Sequence, residues 1–346
     1  MHGMALLLSV LILSFIVTSI LVVPFINLLY TLKFQRAQQI TRDVFGKLTP
    51  IFDLFHKDKV GVPVGGGLLV ITVVSTLFAF LLPLLTRFGV EITSNHRSVS
   101  AEINVIFFTF LSFGILGLYD DIKKFFNFSN GFFGLRMKHK LFLQIILAII
   151  ISLMLFIQLG ISFVHIPFIG TFELGAFYIP FAVFTIVAFA NAVNITDGLD
   201  GLASGVLMIS LFGLWYLSSA ILDVPTSLFI ALLIGSLISF LYFNVFPARI
   251  FMGDVGSLAF GATLAVIGLL TGKVIALIVI GAIFVIEITS SLAQLLSKKF
   301  LKRKILPAAP VHLTLQRHGW PEPKIVQRAW LLQIMLTIFG VWLAVL

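Results

Sequence analysis

The sequence predicts an all-α polytopic membrane protein, one integral membrane domain (residues 1–346) with about ten transmembrane helices. Of the 346 residues, 60% are hydrophobic and only 11% are charged, and the mean hydropathy is +1.14. A soluble domain could not cover so much hydrocarbon with so few charged side chains. Cysteine is absent, which excludes disulfides and thiolate metal sites.

Ten apolar segments are long enough to cross about 30 Å of hydrocarbon as helices. The first lacks the basic region and cleavage site of a signal peptide, so we expect it to be retained. Residues 161–176 alternate around a glycine, which predicts a β-hairpin on the outer side. The predicted spans are 5–32, 66–86, 104–119, 141–160, 177–194, 202–221, 226–244, 255–271, 273–296 and 328–346.

The basic residues predict the orientation of the spans. With ten spans, 20 of the 23 Lys and Arg residues fall on one side, and the other side has only Arg87, Arg97 and Lys273. The positive-inside rule makes the basic side cytoplasmic and directs both termini outward. The net charge of +9 therefore indicates topology and contact with anionic lipid headgroups, not nucleic-acid binding.

Five aspartates lie at the ends of apolar runs, all on the predicted cytoplasmic side: Asp120, Asp121, Asp197, Asp200 and Asp254. A carboxylate near the bilayer is costly unless it meets a cation or water, so such acids are functional candidates. They fall in three separate clusters beside basic loops. This arrangement predicts a site for a metal ion and phosphate, built from several helices.

The first two acidic clusters each have a structural alternative. Asn194, Asp197 and Asp200 recur every three residues, which predicts one helix face that binds a cation, a ribose or a base edge. A capped helix end with glycine turns is the alternative. Asp120 and Asp121 point about 100° apart on a helix. One is expected near a phosphate and the other beside a lysine or a metal, unless the run is only a solvated helix end.

Asp254 begins a predicted span between two glycines, where a helix N-terminus favours phosphate or Mg²⁺. Its alternative is a simple N-cap. Lys59 precedes the glycines 65–67, which resemble a phosphate loop only loosely and are as readily packing contacts. His312 lies in a basic, proline-rich loop that would suit a diphosphate, although a lone histidine is more often structural.

Several motifs follow one another across residues 56–330: "KVGVPVGGG", "DDIKK", "NAVNITDGLDGLASG", "FMGDVGSLAFG", "GAIFVIE" and "GWPEP". Together they resemble the polyprenyl-phosphate N-acetylhexosamine-1-phosphate transferases (glycosyltransferase family 4), and "GWPEP" favours their muramoyl branch. The resemblance implies ten spanning helices around a cytoplasm-facing active-site groove in the bacterial inner membrane.

The resemblance also implies a reaction. Phospho-N-acetylmuramoyl-pentapeptide would pass from its UDP derivative to undecaprenyl phosphate, giving lipid I and UMP for peptidoglycan synthesis. Mg²⁺ would be the cofactor, with Mn²⁺ as a substitute. The implied partners are these two substrates and membrane lipid, without nucleic acid, and a homodimer is compatible with the resemblance.

Residue roles follow from the same resemblance. Asp254 is expected to bind Mg²⁺, and Asp120 to act as a base or to orient the nucleophile. Asp121 would lie beside it on the pyrophosphate or the metal, and Phe251 would stack on uracil. The other expected substrate contacts are Lys59, Lys124, Lys140, Asn194, Asp197, Asp200, Asn244 and His312.

Two alternatives differ in function. The muramoyl branch usually has two more histidines and an acid after the position of His312, whereas residues 313–316 here are LTLQ. A sister transferase that uses UDP-N-acetylglucosamine or a similar sugar is therefore one alternative. The other is a secondary transporter, which is disfavoured because the acids lie toward one side of the membrane and the sequence shows no paired halves.

Overall fold

The computed structural model describes residues 2–35, 59–125, 135 and 137–346. Five cations used for the topology, at 36, 42, 47, 57 and 136, lie outside these residues. The helices are α1 His2–Thr31, α2 Gly66–Arg87, α3 Val99–Phe125, α4 Met137–Leu153, α5 Tyr178–Thr196, α6 Leu202–Ala220, α7 Val224–Asn244, α8 Gly253–Leu270, α9 Val274–Ile280, α10 Ala282–Leu296, α11 Val311–Arg317 and α12 Glu322–Val345.

The predicted fold class is confirmed. Within the described ranges, nine helices are long and apolar enough to cross a membrane, and the α9–α10 pair supplies a tenth crossing if it counts as one span. The predicted hairpin is also confirmed, as strands β1 Phe163–Ile166 and β2 Gly170–Glu173 pair in antiparallel register. Several helices extend beyond their apolar runs, most clearly α3, which continues through the charged "DDIKK" segment.

The predicted ninth span, 273–296, is not one straight helix. It breaks at Gly281, and the two pieces meet at a bend of 83°. A break inside a bilayer must satisfy the backbone groups that leave the helix. Ser210 Oγ donates to the Ile280 carbonyl at 2.8 Å, and Gln333 Nε2 donates to the same oxygen. Neighbouring helices therefore compensate for the lost helical hydrogen bond.

Helix α8 lies at the centre of the bundle. In its most apolar 18-residue stretch, 94% of the residues are buried, compared with 22% in α12. It packs against α3 on one side and α5 on another, while α1 covers α7 and α12 covers α6. The central position of α8 brings its first turn, with Asp254, against the ends of α3 and α5.

The start of α1 and the end of α12 lie at the end of the bundle away from Asp254. The Phe34 carbonyl, just after α1, accepts the N–H of Val64 at 2.9 Å, beside the start of α2 and the residues that precede α8. Helix α12 begins at Glu322, which hydrogen-bonds to the backbone of Asp200. Since α1 ends and α12 begins at this level, their outer ends are at the opposite level. The side of the membrane on which these ends lie stays a prediction from the distribution of Lys and Arg.

The contact between α3 and α8 depends on Gly117. A Cβ at this position would lie 2.1 Å from the carbonyl oxygen of Asp254. Such a contact is far inside the van der Waals limit, and its partner is backbone, so the helices themselves would have to separate. Gly117 thus sets the distance between the helices that carry Asp120, Asp121 and Asp254.

We expect Gly117→Ala to lower the stability and displace the aspartates. Overpacking of this kind typically costs about 1–3 kcal/mol, so the melting temperature of the purified protein should fall. Gly3→Ala is the matched control, because Gly3 is also helical and a Cβ there would meet no atom within 4 Å. Equal melting temperatures for the two variants would contradict the close-approach argument.

Candidate active site

Three aspartates and two lysines meet where α3, α4 and α8 converge. Lys124 Nζ lies 2.8 Å from Asp254 Oδ2, 3.3 Å from Asp120 Oδ2 and 3.7 Å from Asp121 Oδ1. Lys140 Nζ, in the first turn of α4, lies 3.1 Å from Asp120 Oδ2 and hydrogen-bonds to Asp254 Oδ2. We call these five side chains the aspartate–lysine cluster. It concentrates both signs of charge at one end of the bundle.

The two adjacent aspartates share Lys124 but accept different backbone N–H groups. Asp121 Oδ2 accepts the N–H of Val255 at 3.0 Å, which ties the end of α3 to the first turn of α8. Asp120 Oδ1 accepts the N–H of Leu135 at 2.6 Å, just before α4. Both carboxyl groups are almost fully buried, at 2% and 1% exposure. Each therefore fixes a different neighbouring segment.

Asp254 does not cap its helix. Helix α8 begins at Gly253, with a left-handed φ of +78°, and a free N–H of its first turn goes to Asp121 of α3, not to the Asp254 side chain. The N-cap alternative is therefore wrong. The Asp254 carboxylate instead accepts hydrogen bonds from Lys140 and from Asn194 Nδ2, the latter at 3.0 Å. Asn194 also donates to Ser257 Oγ at 2.8 Å, which holds the end of α5 against α8.

The prediction that Asn194, Asp197 and Asp200 share one helix face is wrong. Helix α5 ends at Thr196, Asp197 is its C-cap, and Asp200 lies in the turn before α6. Gly201 ends this turn with a left-handed φ of +78°. A three-residue repeat fits a glycine-rich turn as well as a helix. The turn sends Asn194 and Asp200 to different parts of the site.

A second group of charges forms around Lys59. Lys59 Nζ lies 2.7 Å from Asp200 Oδ1 and 2.7 Å from Glu322 Oε1, and it donates to the Gly198 carbonyl at 3.1 Å. Glu322 Oε1 also accepts the Asp200 N–H at 2.5 Å. We call Lys59, Asp200 and Glu322 the Lys59 triad. The sequence analysis missed Glu322, although it is an acid at the start of an apolar run, the same signal that identified the aspartates.

Phe251 lies beside this triad, with Lys59 Nζ 5.8 Å from its ring centroid. Its carbonyl accepts the N–H groups of Gly65 and Gly66 at 3.1 and 2.8 Å. Those donors are therefore engaged with protein, and Gly67 packs against α8. The glycine run therefore serves helix packing and is not a phosphate-binding loop.

The last two candidates are buried. His312 Nδ1 lies 3.0 Å from Glu287 Oε2, and its Nε2 faces Gly198 without a hydrogen-bond partner among the described residues. Asn244 accepts from Ser204 Oγ at 2.6 Å and donates to the Ile250 carbonyl at 2.9 Å. Its amide thus supports the segment before Phe251 and takes part in neither charged group.

Known proteins match this chain over most of its length. The model of Glycosyl transferase family 4 matches residues 103–272. A phospho-N-acetylmuramoyl-pentapeptide-transferase of Aquifex aeolicus (strain VF5) is 35% identical over 94% of this chain and 91% of its own length. Proteins of the same name from Rickettsia montanensis and Clostridium perfringens (strain SM101 / Type A) are 36% identical, covering 82% and 91% of this chain and 80% and 90% of their own lengths.

The apolar helices and these similarities define a multi-pass bacterial membrane protein that acts as a phosphotransferase. The chain belongs to the phospho-N-acetylmuramoyl-pentapeptide-transferase family, within glycosyl transferase family 4.

Proposed function

We propose that this chain transfers phospho-N-acetylmuramoyl-pentapeptide from its UDP derivative to undecaprenyl phosphate, giving lipid I and UMP at the cytoplasmic face of the bacterial inner membrane. The observation that carries the proposal is the aspartate–lysine cluster, which brings acids from two helices onto two lysines. The identity of the group that is transferred is inferred from the names of the relatives. The distribution of Lys and Arg supports the cytoplasmic side.

The cluster suits a reaction between two anions. Phosphoryl transfer brings the lipid phosphate against a diphosphate, so positive groups must offset the repulsion and the charge of the departing UMP. Lys124 and Lys140 supply that positive charge beside Asp120 and Asp254. The lipid phosphate is already ionised near neutral pH. Positioning and electrostatics therefore contribute more than proton removal, and Asp120 orients the attacking group or accepts a residual proton.

The donor chemistry of the cluster also fits Mg²⁺, which prefers carboxylate oxygens. Oxygens of three aspartates already lie within 3.7 Å of one point, the Lys124 ammonium. Asp254 and Asp121 are the residues that would hold the ion. When bound, Mg²⁺ or Mn²⁺ adds positive charge against the diphosphate.

The Lys59 triad and Phe251 form the nucleotide end of the proposed site. Phe251 offers a ring face for uracil, and Lys59 lies beside it. The His312 Nε2 atom, which has no protein partner in the described ranges, can hydrogen-bond to a substrate oxygen. The remaining proposed contacts to ribose, sugar or diphosphate are Asn194, Asp197 and Asp200.

An apolar cavity supports a lipid substrate at the same site. It has a volume of about 300 Å³ and lies between α2 and α3, with Leu68, Ile71 and Leu118 in its walls. Val255 also lines it, and the Val255 N–H is the donor to Asp121. An isoprenoid segment in this cavity would hold its phosphate near the aspartates.

The test is UMP release by the purified chain with undecaprenyl phosphate, Mg²⁺ and a panel of UDP-sugars. We expect release with UDP-N-acetylmuramoyl-pentapeptide and little with UDP-N-acetylglucosamine. The reverse preference would establish the sister transferase. That enzyme is the second candidate because residues 313–316 are LTLQ in place of the usual histidines. Release with neither donor would contradict the proposed function.

We expect Glu322→Gln to raise the KM for the UDP-sugar about tenfold, because a hydrogen bond to a charged group contributes about 1.5–3 kcal/mol. The substitution keeps the length of the side chain and removes the charge that faces Lys59. The kcat should change less, since Glu322 is not in the aspartate–lysine cluster. Glu173→Gln, an exposed acid on β2, is the control. A tenfold loss confined to kcat would contradict this role.

A further inference from the structure

A second cluster of ionisable side chains lies at the opposite end of the bundle. Glu102 is in the first turn of α3, His96 precedes that helix, and Asp223 caps the N-terminus of α7. Glu102 and Asp120 lie near opposite ends of α3, about 27 Å apart at 1.5 Å per residue. The cluster is therefore separate from the aspartate–lysine cluster and takes no part in the proposed reaction.

The three side chains face one another in a buried space. One ligand atom from each of His96, Glu102 and Asp223 lies within 4.8 Å of the other two. Glu102 is 0% and Asp223 1% exposed. His96 Nε2 and Asp223 Oδ2 are 3.8 Å apart, too far for a hydrogen bond, and neither atom has another partner in the part of the chain that the structure describes.

Neighbouring groups fix the carboxylates in this arrangement. Ser94 Oγ donates to Glu102 Oε2 at 2.5 Å, and Thr226 Oγ1 donates to Glu102 Oε1 at 2.7 Å. The Thr226 N–H donates to Asp223 Oδ1 at 3.2 Å, so Oδ2 is the oxygen that points toward His96. Such outer hydrogen bonds are what orients the ligands of a metal ion.

The cluster consists of two buried carboxyl groups and one imidazole. Among the described residues, no Lys or Arg forms an ion pair with Glu102 or Asp223. Two buried carboxyl groups therefore lie close together without a cation at ion-pair distance in those ranges.

We propose that His96, Glu102 and Asp223 form a binding site for a divalent transition-metal ion, with Zn²⁺ the best match. One imidazole nitrogen and two carboxylate oxygens are a zinc donor set that leaves a fourth position for water. Tetrahedral zinc holds its ligand atoms about 3.3 Å apart, so the three atoms, which lie within 4.8 Å of one another and 3.8 Å apart for His96 and Asp223, would move closer together on binding. Mg²⁺ fits poorly, because it prefers oxygen ligands alone.

The ion would join two segments that already touch. The Val224 N–H donates to the Thr93 carbonyl at 3.0 Å, and Thr93 Oγ1 donates to the Leu222 carbonyl at 2.7 Å. These bonds connect the segment before α3 to the turn between α6 and α7. A metal bound by His96 and Asp223 would cross-link the same two segments. Its role would therefore be to stabilise this end of the protein.

The test is Zn²⁺ binding by the full chain, purified in detergent and stripped with EDTA. Bound zinc is measured by mass spectrometry after dialysis against micromolar ZnCl₂, and the melting temperature is measured with and without zinc. We expect one Zn²⁺ per chain and a melting temperature higher by about 3 °C or more, since a ligand that binds only the folded state stabilises it. No zinc-dependent shift in the wild-type chain would overturn the proposal.

Variants locate the site. His96→Ala and Asp223→Asn should lose both the bound ion and the shift, whereas His165→Ala, a histidine on β1, and Asp254→Asn should keep them. Unchanged binding in the first pair would overturn the proposal. If Asp223→Asn does not fold, His96→Gln carries the test, because His96 is the least buried of the three. Loss of the shift in His96→Gln supports the site, and an unchanged shift overturns it.

Discussion

Asp254→Asn is expected to reduce UMP release by at least about 10³-fold, the effect of removing a main electrostatic element of a phosphoryl-transfer site. The Asp254 carboxylate is the group that Lys124, Lys140 and Asn194 share. An amide of the same size keeps the packing and removes the charge, so both lysines lose a partner and a proposed Mg²⁺ ligand disappears. The measurement is UMP release at saturating substrates over a range of Mg²⁺ concentrations.

The control for this variant is Glu91→Gln, which neutralises an exposed acid near the opposite end of the bundle. We expect its UMP release to stay within about twofold of the wild-type rate, as for a surface substitution away from the site. The melting temperature of each variant establishes that it is folded. A folded Asp254→Asn protein with near-normal release would refute the assignment of Asp254.

Lys124→Met is expected to reduce UMP release by about 10²–10³-fold and also to lower the melting temperature. Lys124 is within 3.7 Å of all three aspartates of the cluster. Methionine preserves most of the side-chain volume but leaves these buried carboxylates with Lys140 as the remaining cation of the cluster. Removing one partner of a buried ion pair typically costs about 3–5 kcal/mol. Kinetics and thermal unfolding measure the two effects.

The adjacent lysine provides the matched control. Lys123 Nζ lies 4.7 Å from the centroid of the Tyr119 ring, so Lys123→Met removes the same charge from the same helix turn without changing the cluster. We expect nearly wild-type release and stability for this variant. Equal losses in the two variants would mean that general positive charge near the membrane, and not contact with the aspartates, explains the effect.

The sequence predicted the membrane helices well because each depends on a local average of hydropathy over about 20 residues. The break at Gly281 could not be predicted in this way. The bend leaves the Ile280 carbonyl without its helical partner, and Ser210 and Gln333 compensate from two other helices. Local hydropathy contains no information about such distant donors.

The sequence indicated which residues form the candidate site better than it indicated how they are arranged in space. The acids at the ends of apolar runs indicated Asp120, Asp121 and Asp254. Their convergence depends on Gly117, which lets the backbones of α3 and α8 approach. Periodicity alone wrongly gave Asn194 and Asp200 a common helix face, because a three-residue spacing does not distinguish a helix from a glycine turn.

The cluster at the opposite end was missed for a different reason. His96 and Glu102 are near each other in the sequence, but Asp223 lies more than 100 residues further along the chain. Asp223 and His96 come from two loops on the side with few charges. One backbone hydrogen bond and one from the Thr93 hydroxyl bring those loops together, which no pattern in either segment indicates.

The most direct test of the central claim is a crystal structure with the UDP-sugar and Mn²⁺, recorded at the manganese absorption edge. We expect an anomalous peak at about 2.0–2.3 Å from a carboxylate oxygen of Asp254, with the diphosphate beside Lys124 and uracil on Phe251. A second peak at His96 would not affect this claim. Nucleotide and manganese both bound away from Asp254 would contradict it.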